Sequence, residues 1–229
     1  MQNMTDQNGS AELLAWHFID ENMRDGRPVP PDGERLEHGA PAALCESGLH
    51  ASERVLDALI YAPGNTICRV ECDGVAGRQD DKLVCGARTI LWRVEGEELL
   101  REFARKVALD VADLWEMPDG VRKFLESGNE NLRVAARADA RELSRSYVSA
   151  DQVTAAAAAE AARAAAARTH AARATALAAA WAANKARGDN ESWARYDSLL
   201  EELVEAARTS SADDDEWGDF ADEFEMEIG

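Results

Sequence analysis

Apolar residues come in short runs or alternate over the first hundred positions and fall at spacings of three and four thereafter, so the pattern predicts strands first and helices second. Residues 15–19 (Ala-Trp-His-Phe-Ile) form a bulky run between polar flanks and predict a strand. Gly26, Pro28, Pro30, Pro31 and Gly33 then forbid regular structure and predict a turn-rich loop. Leu44 and Cys45 predict a second short strand, broken by Gly48. Ser52 stands where an N-cap belongs, with Glu53 after it, and Val55, Leu56, Leu59 and Ile60 share a helical face until Pro63-Gly64 stops the helix. From Thr66 the period is two: Cys68, Val70 and Cys72 point one way, Arg69 and Glu71 the other, until Asp73-Gly74 ends the strand. Residues 83–85 and 89–94 repeat the signal, with Ile90, Trp92 and Val94 assigned to one face.

Leu99, Leu100, Phe103, Val107, Val111, Leu114 and Trp115 make 97–115 a strongly amphipathic helix whose stripe belongs against the sheet and which Pro118 ends. A short helix over 121–125 stops near Gly128, and a longer one over 131–147 turns Leu132, Ala136, Ala140, Leu143 and Tyr147 inward. Ser149 and Gln152 have capping-box spacing ahead of a tract in which alanine fills 21 of the 32 positions from 155 to 186. Read as one helix to Arg187, the tract is about 55 Å long, with Leu177 and Trp181 as its large anchors. A last helix over 191–207 offers Trp193, Tyr196, Leu199, Leu200 and Leu203 and folds back as a hairpin on the alanine face. The expected architecture is α+β. A small mixed sheet with packed helices occupies 1–117, short helices 118–148, an Ala-rich helical hairpin forming an arm 149–209, and an acidic-aromatic tail 210–229.

Charge narrows the choice of partner. The chain of 229 residues carries a net charge of −19, and without clustered Lys and Arg it is not expected to bind duplex DNA directly. Residues 211–229 hold nine acids and no base, whereas 151–190 hold five bases against three acids. The first residues lack a charged segment followed by an apolar one, and Glu160, Arg163, Arg168 and Arg173 interrupt the alanine tract. A soluble cytoplasmic protein with reduced thiols and no membrane span is the expectation. Cys45, Cys68, Cys72 and Cys85 could supply four zinc thiolates. However, residues four apart in a strand lie about 13 Å from each other, beyond one ion's reach. The cysteines are therefore read as small hydrophobes of a sheet face, and neither metal nor cofactor is assigned.

His50 follows Gly48 and precedes a helix start, where it could hydrogen-bond a ligand and an anion would be favoured; otherwise it ties the turn to the sheet. Lys82 and Arg88 could complete an anion pocket or be isolated surface charges. In the tail, Trp217, Phe220 and Phe224 alternate with acids that include Asp214, Asp215 and Glu216. That pattern suits a peptide that orders on a basic, grooved partner, and acid with aromatic side chains can imitate nucleic acid; its bland reading is a solubilising tail.

The order Ala15-Trp16-His17-Phe18, Cys45-Glu46-Ser47-Gly48-Leu49-His50-Ala51-Ser52, Asp57-Ala58-Leu59-Ile60-Tyr61-Ala62, Cys68-Arg69-Val70-Glu71-Cys72-Asp73-Gly74 and Asp81-Lys82-Leu83-Val84-Cys85 resembles a family of bacteriophage and bacterial proteins of unknown function. Its mark is a Cys-x-x-Gly-(Leu/Phe)-His-Ala-(Ser/Cys) box before a Tyr-ending helix. The resemblance covers about the first 115 residues and implies a phage or prophage origin, with no assigned catalytic residue. The chain is also similar to ADP-ribosyltransferase cores, in which a first-strand His holds the NAD ribose and a Gly-aromatic turn precedes a helix ending near Tyr. The matching positions are His17, His50 and Tyr61. It departs from them in having Phe18 after the His and no glutamate on a matching final strand, although Glu95, Glu97 and Glu98 are near.

Three functions follow as expectations. The first is a phage-encoded accessory protein that binds a host protein, plausibly a basic or nucleic-acid-binding one, and inhibits a host defence or nucleic-acid-handling system. The second is a nucleotide-binding or ADP-ribosyl-transferring enzyme using His17, His50, Tyr61 and Lys82. The third is a virion component that self-associates through the alanine helices.

Overall fold

The computed structural model describes residues 13–167, 171–189 and 191–225, with side chains as far as residue 210. Five strands, β1 (Leu13–Ile19), β2 (Arg35–Glu37), β3 (Leu49–Ala51), β4 (Thr66–Arg78) and β5 (Leu83–Val94), form one sheet in the order β1-β4-β5-β2, with β3 also paired to β5. Every named pairing is antiparallel, so the α+β class holds with an antiparallel sheet in place of the mixed one expected. For β4 and β5 the short link explains this, since they form a hairpin and parallel neighbours would need a crossover of a dozen or more residues.

The hairpin is longer than its sequence pattern implies. Asp73-Gly74 does not end β4, because Gly74 adopts a left-handed conformation (φ 63°) and the ladder resumes with Val75 opposite Cys85 and Gly77 opposite Val84. Between Arg69 and Val70 the register slips once more, as Arg69 pairs with Trp92 and Val70 with Ile90. Leu91 is the extra residue. Ile90 therefore lies with Ala15, Ile19, Cys68, Val70, Cys72 and Cys85 on one face, while Trp92 and Val94 pack with Trp16, Phe18 and Ile67 on the other. The assignment of Ile90, Trp92 and Val94 to one face is corrected by this bulge, since one inserted residue exchanges faces. Residues 44 and 45 are not a strand either: Cys45 has φ 65°, inside a turn closed by an Ala43–Ser47 bridge. The true second strand is β2, whose Arg-Leu-Glu sequence has no strand-like alternation to advertise it.

The helices are α1 (Val55–Ile60), α2 (Glu97–Asp110), α3 (Asp119–Ser127), α4 (Glu130–Ser146), α5 (Val153–Ala165), α6 (Ala172–Arg187) and α7 (Ser192–Glu225). Ser52 does not cap α1: its hydroxyl donates to the Asp81 carbonyl, and its backbone pairs with Trp16. The cap comes from far along the chain, since Asp197 Oδ1 on α7 accepts from the Leu56 N–H at 2.8 Å. Trp193 Nε1 donates to Asp57 at 2.9 Å and Tyr196 Oη to Asp110 at 2.8 Å, so α7 is fastened to α1 and α2 through polar bonds as well as through buried Leu200 and Val204. The Ser149–Gln152 capping box forms, at a short 3-10 turn leading into α5.

The alanine tract is not one rod, and it is not an arm. It divides into α5 and α6, which pack on each other, with α5 also against α4 and α6 against α2. Ala158, Ala159, Ala161, Ala162, Ala172, Ala176, Ala179, Ala180 and Ala183 are wholly buried in the same core as Trp16, Phe18 and Phe103. Helix propensity favours a continuous helix, but an isolated alanine rod buries almost nothing; folding back lets small faces meet at close range. The start of α6 is held by Asn65, whose Oδ1 accepts from the Arg173 N–H at 3.1 Å. Among the described residues no helix is long and apolar enough to cross a membrane.

Candidate functional site

The second sheet face, away from the helices, is only partly closed. Val29 and Leu49 cover the cysteine and isoleucine cluster at one end. Beside them the loop between β1 and β3 leaves a cavity of about 630 Å³. Strand alternation decides who looks into it. His17 shares a face with Ala15 and Ile19 and pairs with Cys68, and β3 carries His50 opposite Val84. The wall also includes Tyr61, at the end of α1, and Lys82, at the start of the hairpin's return. All four residues singled out in the sequence thus line one cavity, with Arg88 among them.

Each is held differently. His50 Nε2 accepts from the Cys45 N–H at 3.3 Å, and its carbonyl accepts from Arg88 Nη1 at 2.5 Å, so this residue does tie the turn to the sheet. The Tyr61 hydroxyl donates to the Asp81 carboxylate, which holds the phenol above its ordinary range, and Lys82 Nζ lies 4.8 Å from the centre of the Tyr61 ring. The thiol of Cys45 beside Lys82 raises the ammonium's affinity for its proton. Helix α1 adds no anion site, because its first turn is short and already bonded to Asp197. Positive potential here comes from side chains.

Two members of the wall escaped the sequence reading. His38 follows β2, and its Nε2 is buried with no hydrogen-bond partner among the described residues. Arg24 projects from the loop, exposed and without a carboxylate partner among the described residues. Only recognition of β2, which anchors the segment on β5, could have placed His38. Three of the chain's four histidines therefore line one cavity.

Two of them, His17 and His50, are held below the ordinary histidine value. His17 is pushed well below its ordinary value of 6.5, first by burial, then by Arg88, Arg24 and His50. His50 is lowered by burial and by Lys82, Arg88 and Arg24, against a smaller opposite effect of the Gly48 backbone. A folded-state value below the unfolded one means that His17 withholds no stability above the unfolded value and costs stability as pH falls from there through the folded value. Between pH about 7.5 and about 5.5 the unfolding free energy read from urea denaturation should drop by up to about 1.4 kcal/mol on this account. His17→Gln should lose less over the same interval, and equal losses would exclude His17 as the source.

The remaining candidates lie elsewhere. Glu95 accepts from Thr66, while Glu97 accepts from Asn65 and Arg101; neither they nor Glu98 line the cavity. The acids in its wall are Asp20, Asp25, Glu34 and Glu46, all exposed. Cys68, Cys72 and Cys85 are free thiols buried in the sheet-face core, and Cys45 is a free, exposed thiol. Burial pushes the Cys68 thiol up to about 12. Trp217, Phe220, Phe224, Asp214, Asp215 and Glu216 fall beyond residue 210, so their side chains lie outside the described residues.

Neither a curated protein nor a solved structure matches the chain. A family match does exist, and it begins with β1 and ends inside α2, taking in every residue of the cavity wall and leaving out the alanine helices. Residues 13–102 are similar to a domain of unknown function, DUF7666.

Proposed function

We propose that the cavity on the free sheet face binds a nucleotide, with NAD-dependent ADP-ribosyl transfer as the first reaction class to assay. The observation that carries this reading is the convergence of His17, His50 and Tyr61, from three separate elements, on one cavity that also holds Lys82, Arg24 and Arg88. A volume of about 630 Å³ falls in the range of small-molecule sites. A neutral imidazole can both donate to and accept from ribose hydroxyls, a role open to His17, whereas the Nε2 lone pair of His50 is already taken by the Cys45 N–H; the cations suit phosphates. For transfer, a carboxylate must meet the positive charge that develops at the ribose. Glu34 and Glu46 are the glutamates available in the wall.

Calorimetric titration with NAD, ADP, AMP and adenosine tests the reading. At least one should bind, and His50→Ala should weaken it by roughly tenfold or more through loss of a buried hydrogen-bonding group. The absence of heat with all four would sink the proposal. NAD consumption, measured in parallel, separates an enzyme from a binding protein.

A second reading rests on the nine acids and absent bases of residues 211–229: a phage-encoded accessory protein that inhibits a host system by binding a basic partner. A pull-down from host lysate with the full chain and with a chain ending at Ser210 tests it. Capture of the same proteins by both forms would remove the tail from the account.

A further inference from the structure

Arg88 is a buried cation without an anion. It is 8 % exposed and no carboxylate lies within ion-pair distance among the described residues, the one bond being that from Nη1 to the His50 carbonyl. Its neighbours on the same face carry no charge: Cys72 and Leu36 lie directly across the two ladders, with Cys85 and Cys68 nearby. Thiols are weak acceptors, and most of the guanidinium N–H donors are unmet. A cation in so little water favours an anionic neighbour, and the Arg88 side chain lines the cavity, from which an anion can reach it. His38 Nε2, also buried and without a partner among the described residues, belongs to the same wall.

We infer that Arg88 and His38 form an inner phosphate site, in which a phosphate of the bound ligand accepts hydrogen bonds from the guanidinium and from His38 Nε2. This rests on the nucleotide reading and adds which part of the nucleotide reaches the sheet. A phosphate suits the site better than a lone carboxylate because Lys82 and Arg24 line the same cavity without ion-pair partners among the described residues, and several cations around one space match a group with several charged oxygens. Of the wall's acids, Asp25 is already paired with Arg27, and Asp20, Glu34 and Glu46 are exposed, as Arg24 is; water screens those charges, whereas Arg88 is buried.

The test uses the full chain. With arginine side chains labelled by 15N, the Arg88 Nε resonance of the unmodified protein should shift on titration with inorganic pyrophosphate and with ADP. Calorimetry should give ADP an advantage over adenosine of roughly 10- to 100-fold, and Arg88→Gln should remove that advantage, read as the ratio of the two affinities measured on the same variant. Should the variant fold poorly, the resonance of the unmodified protein still decides. Nucleotide binding with a silent Arg88 and an intact ADP advantage would overturn the phosphate site and spare the nucleotide reading. Pyrophosphate binding at Arg88 with no nucleotide bound would do the reverse. If neither pyrophosphate nor any nucleotide binds, both fall.

Discussion

Trp16→Ala is expected to destabilise the protein by about 3–5 kcal/mol, enough to remove much of the stability of a chain this size. The indole is 1 % exposed and meets Trp92 edge-to-face with centroids 5.7 Å apart, and the Arg69 guanidinium stands 4.5 Å from its centre. Its cost exceeds that of an ordinary core truncation because of where β1 lies. The Trp16 side chain anchors the sheet to the helices, its backbone exchanges hydrogen bonds with Ser52 at 2.7 and 3.0 Å, and the next residue, His17, faces the cavity. Denaturant unfolding checks the figure. A loss below about 1 kcal/mol would mean that helices and sheet do not share the core described here.

Ala179→Leu is the second large effect, about 1–3 kcal/mol, and its origin is the opposite one. Ala179 is wholly buried on α6, which packs against both α5 and α2. Three added carbons have no room where backbones approach at alanine spacing, so helices must separate or side chains leave their rotamers. Ala178→Leu, one position along on the exposed side, is the control and should stay within about 0.5 kcal/mol. In an exposed arm the two substitutions would behave alike. A clear difference in unfolding midpoint is therefore expected, and equal midpoints would return the tract to the arm drawn from sequence alone.

The strand at β1, the paired faces of β4, helices α1 to α4 and the capping box at Ser149 were legible because each depends on residues close in sequence. His17, His50, Tyr61 and Lys82, singled out by resemblance and local pattern and not by periodicity, line one cavity. Arg88 could be read as surface charge or as part of an anion pocket, and only its burial separates the two. His38 could not be placed at all without β2, a strand of Arg-Leu-Glu that exists because β5 offers it a partner.

By itself the sequence determined the α+β class, the order of most elements and the candidate residues of the cavity, since alternation, helical spacing and turn residues act over a few positions. Tertiary structure decided the rest. The α1 cap is Asp197, 141 positions away, and the α6 start is held by Asn65, 108 positions away. The Leu91 bulge exchanges the faces of β5, and alanine's local preference for one long helix yields to the burial gained when α5 and α6 fold together. The physical reason is common to all of these. A backbone N–H or a small apolar face is satisfied by whatever the fold brings within a few ångströms, and local pattern carries no record of a partner so distant along the chain.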